Sequence, residues 1–511
     1  MNDTESAKDP VSMSVFRERL TDCDDIFYTD VTVGDDIKCT VLSVDGMVQT
    51  SVLNDDVLRP LALDRDLRAV KSERDAIELI HSGRVYHCQR KLCETMTDAM
   101  SQLLFGSAIL VFDGEGVAIA FDIKGFESRS ISEPTNENVL KGGKDAFVES
   151  LRTNTTLIRR RIQTNDLKIV QMTIGRRTNT PVAVVYVSGI ANGAVVEAIG
   201  ERLRAADIDG LVTMGQLDAI LHETQRTIFP HTLDTELADK FTGNLLEGRV
   251  GIFVDGIPFG FLLPVCINSF MQAVEDYALH PLITSLFRIL RYTAILLSLV
   301  LPALYIAITS FHQEIIPTKL AIAIITSKRG VPFPTYLEVF IMLLALEILL
   351  EAGARLPRAI GQAVSTVGAL VIGQAAIAAH TLSPGVVIVI ATAGITGFVV
   401  PSQDFSTALR LCRFGLAVAA TIAGLFGMSI GLILILYNLC SIEVYGTPYL
   451  APAVGNEWRQ LFEDTIIRRG WRKKLQRPVS ISPADIVRAR ETQDDESTPD
   501  ASSDTKEDGD N

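Results

Sequence analysis

The sequence predicts an α/β soluble N-terminal region of two subdomains, followed by an all-α multi-span transmembrane domain. Residues 1–288 mix charged and apolar side chains, whereas beyond residue 291 three stretches, 292–313, 359–403 and 414–442, contain no Asp, Glu, Lys or Arg. Of the 511 residues 48% are hydrophobic and 21% charged. That much apolar surface must be buried in a core or in lipid, which excludes disorder for the bulk of the chain. Before residue 288, alternating apolar residues flank Asp-Gly pairs at 45–46, 113–114 and 255–256, the composition of tight β-hairpins.

The N-terminal elements follow from these signals. Residues 1–20 are expected to be disordered. Subdomain one (21–135) holds the hairpin signals at 39–50 and 107–122, and subdomain two repeats them about 140 residues later at 182–189 and 249–263. Duplication and coincidence both account for the echo. In each half the strands lead into a helical stretch, opened by Asn54-Asp55 in one and Asn192-Gly193 in the other. A long helix over 136–161 is expected to join the halves within the second unit, 136–288.

A bilayer core takes about 20 apolar residues per helix. This predicts a transmembrane domain over 289–455 with about five spans, at 292–311, 335–352, 362–381, 385–401 and 414–439, the third and fourth separated by Pro384-Gly385. The acidic start and the late first span predict no signal peptide and an N-terminal domain on the cytoplasmic side. Arg288, Arg291, Arg355, Arg358, Arg410 and Arg413 then all fall inside. Five spans would put Arg468, Arg469, Arg472, Lys473 and Lys474 outside, against the positive-inside rule. The stretches 315–326 and 444–454 are candidates to restore even parity, and the basic segment 456–490 is expected inside. Residues 491–511 form an acidic, disordered tail with nine acidic residues against one lysine, a net of −8 within the chain's −14. The remainder of the chain carries only −6, and no nucleic-acid partner is expected.

Three stretches carry possible chemistry. Ser132 or Thr135 caps a helix entering at Pro134, with Glu133 and Glu137 near its positive end and Arg159, Arg160 and Arg161 farther on. These arginines either pair with acidic neighbours or anchor a subunit interface. In the second span Glu347, Glu351, Arg355 and Arg358 share one helix face, where they neutralise one another or line water. Glu338 lies on the opposite face and is the acid expected to meet a partner or a hydrated cavity. In the third span Ser365, Thr366, Gly368, Gly373 and Gln374 suit either close helix packing or a pore wall.

Seven scattered cysteines without a CxxC pair read as free thiols. His81, His87, Cys88 and Cys93 fit no standard zinc spacing. No P-loop, GxSxG, HExxH or dinucleotide fingerprint is present, so neither an enzyme, a cofactor nor a metal is expected.

Four long stretches resemble the A subunits of GerA-type spore germinant receptors, a group that includes the related sporulation protein SpoVAF. They are SRSISEPTNENVLKGGKDAFVESLRTNTTLIRRR at 128–161, VDGIPFGFLLP at 254–264, EAGARLPRAIGQAVSTVGALVIGQAAIAA at 351–379 and YGTPYLAPAV at 445–454. The resemblance runs from about residue 20 to 475; the acidic tail departs from it. It implies a multi-pass protein of the bacterial cell membrane or inner spore membrane, its N-terminal domain in the spore core. It also implies a homo-oligomeric ring, a pentamer, that conducts cations when a partner senses a nutrient. The partners implied are a transporter-like B subunit, a lipoprotein C subunit and membrane lipid. A SpoVAF-like accessory channel and a non-conducting scaffold are the alternatives.

Overall fold

The computed structural model describes residues 9–34, 37–83, 89–125, 137, 142–222, 227–356, 373–454, 465–468, 477 and 481. Subdomain one contains α1 (Met13–Arg19), β1 (Ile26–Val33), β2 (Ile37–Val44), α2 (Glu73–Ser82), β3 (Arg90–Cys93), α3 (Met96–Leu104), β4 (Ala108–Phe112) and β5 (Val117–Phe121). Its antiparallel sheet has the order β1-β2-β4-β5-β3. Side chains alternate across a strand, and both faces of this sheet are covered. Ile109 and Val111 of β4 face a cluster with Phe16, Met100 and Leu103, while Ala108, Leu110 and Phe112 face Leu61 and Ile80.

After α4 (Leu151–Arg161), subdomain two repeats the plan with β6 (Leu167–Ile174), β7 (Thr180–Val187), α5 (Gly193–Ala205), α6 (Met214–Leu221), β8 (Leu233–Thr235), α7 (Ala238–Leu245), β9 (Val250–Val254) and β10 (Gly260–Leu263). The order is β6-β7-β9-β10-β8, the same arrangement as the first sheet. Strand starts 26 and 167, 37 and 180, 108 and 250, and 117 and 260 lie 141 to 143 residues apart. The sequence echo is therefore an echo of topology.

Asp113-Gly114 and Asp255-Gly256 sit in the β4–β5 and β9–β10 connections, as expected. Asp45-Gly46 does not make a hairpin. The hairpin partner of β2 is β1, reached through Gly34, and Gly46 turns the chain out of the sheet against Thr156 of α4. Both glycines have positive φ, and a local pattern cannot tell a hairpin turn from a strand exit. The expected helix over 136–161 is shorter: described residues before Leu151 are not helical. Ser150 caps α4 by accepting from the Thr153 N–H, and Gly142-Gly143 upstream disfavours helix.

The two sheets meet where Cys23 bridges Ile169 in parallel fashion, with Asp24 N–H donating to Ile169 O at 2.9 Å and Ile169 N–H to Asp22 O at 3.0 Å. Arg159 of α4 is fully buried behind this seam.

The C-terminal half contains α8 (Pro281–Ser310), α9 (Thr318–Ser327), α10 (Thr335–Arg355), α11 (Pro384–Gly397) and α12 (Gln403–Ser441). Among the described residues, α8 and α12 are long and apolar enough to cross a membrane. The expected spans 335–352 and 385–401 are helical as α10 and α11, but α10 carries four charged residues and α11 has only 14 residues. Most of 362–381 lies outside the described residues. Of the two stretches considered for restoring parity, 315–326 forms mostly the short helix α9 and 444–454 a hairpin-like end, β11 (Glu443–Val444) and β12 (Thr447–Pro448).

The expected single span 414–439 is instead two helices that fold back on each other. Ala423 and Gly424 leave helical geometry, Gly424 at φ +59°. A Cβ on Gly431 would stand 2.6 Å from Leu416 Cδ2, although these residues would be about 22 Å apart along a continuous helix. Gly424 itself lies against Phe311 and His312, beyond the end of α8.

Candidate functional site

The ends of the helices fall into two groups. At the end distant from the sheets lie Phe311, Gly330, Glu338, His380, Ser383 and Gly424. At the other end α12 begins with Phe405 stacked on Phe270, centroids 5.7 Å apart. It finishes with Asn438, whose side-chain oxygen accepts from the Thr227 hydroxyl at 3.0 Å. The described residues beyond it bond to the soluble region: Tyr445 OH donates to Leu221 O at 3.1 Å, and Ile267 N–H to Tyr449 O at 2.7 Å. Arg468 Nη2 donates to Tyr277 O at 3.0 Å.

At the distant end Glu338 forms the polar centre of the helix group. It sits in the first turn of α10, fully buried, and its Oε2 accepts two bonds from Ser383, 2.7 Å from the N–H and 2.6 Å from Oγ. Ser383 is the residue before Pro384 at the start of α11, so the carboxylate also lies at the positive end of a helix, which favours a negative charge. Lys328 Nζ, just past α9, stands 3.3 Å from Glu338 Oε1 and also donates to Thr335 Oγ1. Tyr305 of α8 approaches Gly385, where a Cβ would be 2.6 Å from its hydroxyl oxygen, and among the described residues that buried hydroxyl has no hydrogen-bond partner. One carboxylate thus holds α9, α10 and α11 together beside α8. A charge in such surroundings persists only with partners of this kind.

The other sequence candidates are placed separately. Glu347 pairs with Arg410 of α12 at 2.7 Å, and exposed Glu351 pairs with Arg355 at 2.5 Å; Arg358 lies outside the described residues. The face shared by Glu347, Glu351 and Arg355 is therefore split between a contact to α12 and a local pair. Gly373 packs 3.6 Å from Val387 as measured from an added Cβ, and Gln374 is exposed; Ser365, Thr366 and Gly368 lie outside the described residues, as does Glu133.

Glu137 pairs with Lys240 at 2.8 Å and accepts from the Thr235 hydroxyl at 2.7 Å. Arg159 grips Asp25 through Nε and Nη2 at 2.9 and 2.8 Å, and donates to Leu167 O through Nη1 at 2.9 Å. Arg161 pairs with Asp145 and Asp239, both at 2.9 Å, and Arg160 is exposed. Among the described residues no three His, Cys, Asp or Glu side chains are grouped to hold a metal ion.

Sequence reasoning singled out Glu338 but missed Ser383, Lys328 and Tyr305. The Ser-Pro-Gly run at 383–385 was a usable signal, because a serine ahead of a helix-starting proline is placed to bond at that helix's N-terminus. Nothing local ties Lys328 or Tyr305 to it.

Comparison with known proteins gives consistent matches. The family profile described as Bacillus/Clostridium GerA spore germination protein matches residues 14–480. Spore germination protein B1 of Bacillus subtilis (strain 168) is 35% identical over 94% of this chain and 98% of its own. Spore germination protein KA of the same organism is 36% identical over 91% and 85%. A relative described as the uncharacterized membrane protein YfkQ, again from that organism, is 34% identical over 90% and 88%. The crystal structure of the N-terminal domain of the A subunit of the Bacillus megaterium spore germinant receptor GerK3 is 30% identical, covering 50% of this chain and 96% of that one with a TM-score of 0.40.

Proposed function

The chain belongs to the GerA family of spore germination proteins, and on that premise we propose that it is the membrane subunit of a nutrient germinant receptor. It assembles into a ring, a pentamer, with a transporter-like B subunit and a lipoprotein C subunit, and the ring is a gated path for cations. Its soluble subdomains lie on the cytoplasmic, spore-core side of the membrane.

Even parity supports this orientation. The chain runs out along α8 and back along α10, is again at the distant end by His380, and α11 brings it back. The two halves of α12 add one more excursion, for six crossings in all. The basic segment around Arg468 then lies on the core side, in keeping with the positive-inside rule. Side chains such as Leu296, Ile395, Ile422 and Phe426 are more than half exposed, a surface suited to lipid or to neighbouring subunits.

The observation that carries the gating mechanism is the buried Glu338 carboxylate shared between Ser383 and Lys328. Because its partners come from separate elements, α9, α10 and α11 cannot slide past one another without breaking a charged hydrogen bond in a water-poor setting. The closed state keeps this junction intact, and a ligand acting through a partner opens the path to the extent that it binds the open state better. Gly373 and Gln374, with Ser365, Thr366 and Gly368, are the wall candidates.

Reconstituting the full chain in liposomes, alone and with its partner subunits, tests the reading. Cation flux that rises when Glu338 is replaced supports it; membranes that stay tight in every combination would point to a scaffold.

A further inference from the structure

Where subdomain two meets the membrane helices lies a cavity of about 870 Å³, walled by α6, by His222 and residues 227–232, by the start of α12 and by Glu347 of α10. Among the described lining side chains the carboxylates outnumber the cations, and Arg413, buried in α12, acts on Glu347 and Arg410. Glu347 and Arg410 neutralise each other at 2.7 Å, which leaves Asp218, Asp234 and Asp404. Among the described residues no lysine or arginine lies within ion-pair distance of any of the three; Lys240, a cation that acts on Asp234, is engaged by Glu137 at 2.8 Å.

A second, independent feature points the same way. His222 and His231 line the cavity, are 7% and 4% exposed, and stand with ring centroids 4.9 Å apart. Among the described residues neither Nε2 has a hydrogen-bond partner. His222 Nε2 is 3.9 Å from Asp218 Oδ1, beyond hydrogen-bond reach. Burial, reinforced by His231 and then Arg202, lowers the His222 pKa to about 3, and burial lowers that of His231 as well. Both rings are therefore neutral near pH 7. They offer hydrogen bonds to a ligand without opposing its positive charge.

The dimensions select among cations. A single metal ion needs ligands converging on one point, and among the described residues no such group exists. The volume falls in the range of small-molecule sites, and Phe229, Phe261 and Phe414 supply apolar and π surface, which suits an alkylammonium. We infer that this cavity binds a small linear polyamine, its ammonium groups paired with Asp234, Asp404 and Asp218 and its methylene chain lying over Phe229 and Phe414. The site joins the soluble subdomain to α12 and α10, so occupancy stabilises one arrangement of the two parts. It does not depend on whether the assembly conducts.

Calorimetric titration of the full-length protein in detergent at fixed ionic strength tests this, with 1,4-diaminobutane and spermidine as probes and 1,4-butanediol and calcium as comparisons. Both amines bind, spermidine more tightly, and the diol does not. Asp234→Asn and Asp404→Asn each weaken binding about tenfold or more, the loss of one ion pair. Asp207→Asn, which removes an exposed carboxylate paired with Arg176, leaves it unchanged. Thermal unfolding of each variant separates lost binding from lost folding. Binding also weakens from pH 7.5 to pH 5, because burial and the neighbouring Asp404, along with Glu137 and against Lys240, push the Asp234 pKa up to about 6. Equal affinity in the folded variants, preference for calcium, or no amine binding to the assembled protein, as when a neighbouring subunit's basic side chain fills the cavity, overturns the assignment.

Discussion

The side-chain oxygen of Asn438, in the last turn of α12, accepts a 3.0 Å hydrogen bond from the Thr227 hydroxyl of the soluble region, while Phe405, in the first turn of the same helix, stacks against Phe270. Both ends of the 39-residue segment of α12 therefore touch one domain, which requires the reversal at Ala423-Gly424. The account predicts that cysteines introduced at Arg468 and Asp207 react from the same side of sealed, oriented vesicles, and one introduced at Gly330 from the other. Labelling of the Arg468 position from the Gly330 side would break the six-crossing topology.

Replacing Gly424 tests the reversal itself. Its φ of +59° is strained for other residues, and an added Cβ would meet Phe311 at 2.9 Å. Gly424→Val should destabilise the folded chain by about 1–3 kcal/mol, read as a lower unfolding temperature in detergent. Gly415→Val, at a site where an added Cβ meets nothing within 4 Å, should cost much less.

The Asp25–Arg159 pair, buried at the seam between the sheets, should behave asymmetrically. Arg159→Met leaves a buried carboxylate without its cation and should destabilise by about 3–5 kcal/mol. Adding Asp25→Asn should recover part of that loss. Chemical unfolding of the single and double variants measures the recovery; strict additivity would mean the pair is not coupled.

The acid response of stability is set by groups of opposite sign. The folded pKa of His222 is lowered to about 3 from the ordinary value near 6.5, so its contribution is fully present above pH 6.5 and is lost as pH falls toward 3. Asp234 is raised to about 6 from 3.8, so its contribution is present below pH 3.8 and is lost as pH rises through 6. Between pH 6.5 and 4.5 His222→Gln should lose less unfolding temperature on acidification than the parent, and Asp234→Asn more. Parallel curves for all three would contradict the assignment.

What was legible in the sequence was local. Asp113-Gly114 and Asp255-Gly256 marked their hairpins because the strands they join are adjacent in the chain. Asp45-Gly46 looked identical, but its setting is decided by Thr156, 110 residues on from Gly46. The long connecting helix was overextended because the cap signal at Ser132–Thr135 was joined to the arginines at 159–161 straight across Gly142-Gly143. Gly424 could not be told from Gly415, Gly427 and Gly431 in the same apolar run, so two helices read as one span. Glu338 stood out as an acid in an apolar helix; Ser383, 45 residues away, is fixed beside it only by the fold.

The most direct test of gating is nutrient-free release of monovalent cations from spores of a host producing the chain with Glu338→Ala. The account predicts leakage before any nutrient is added, with Glu338→Gln intermediate because an amide oxygen can still accept from Ser383. Release that stays fully nutrient-dependent in Glu338→Ala, at normal protein levels in the spore membrane, would contradict it.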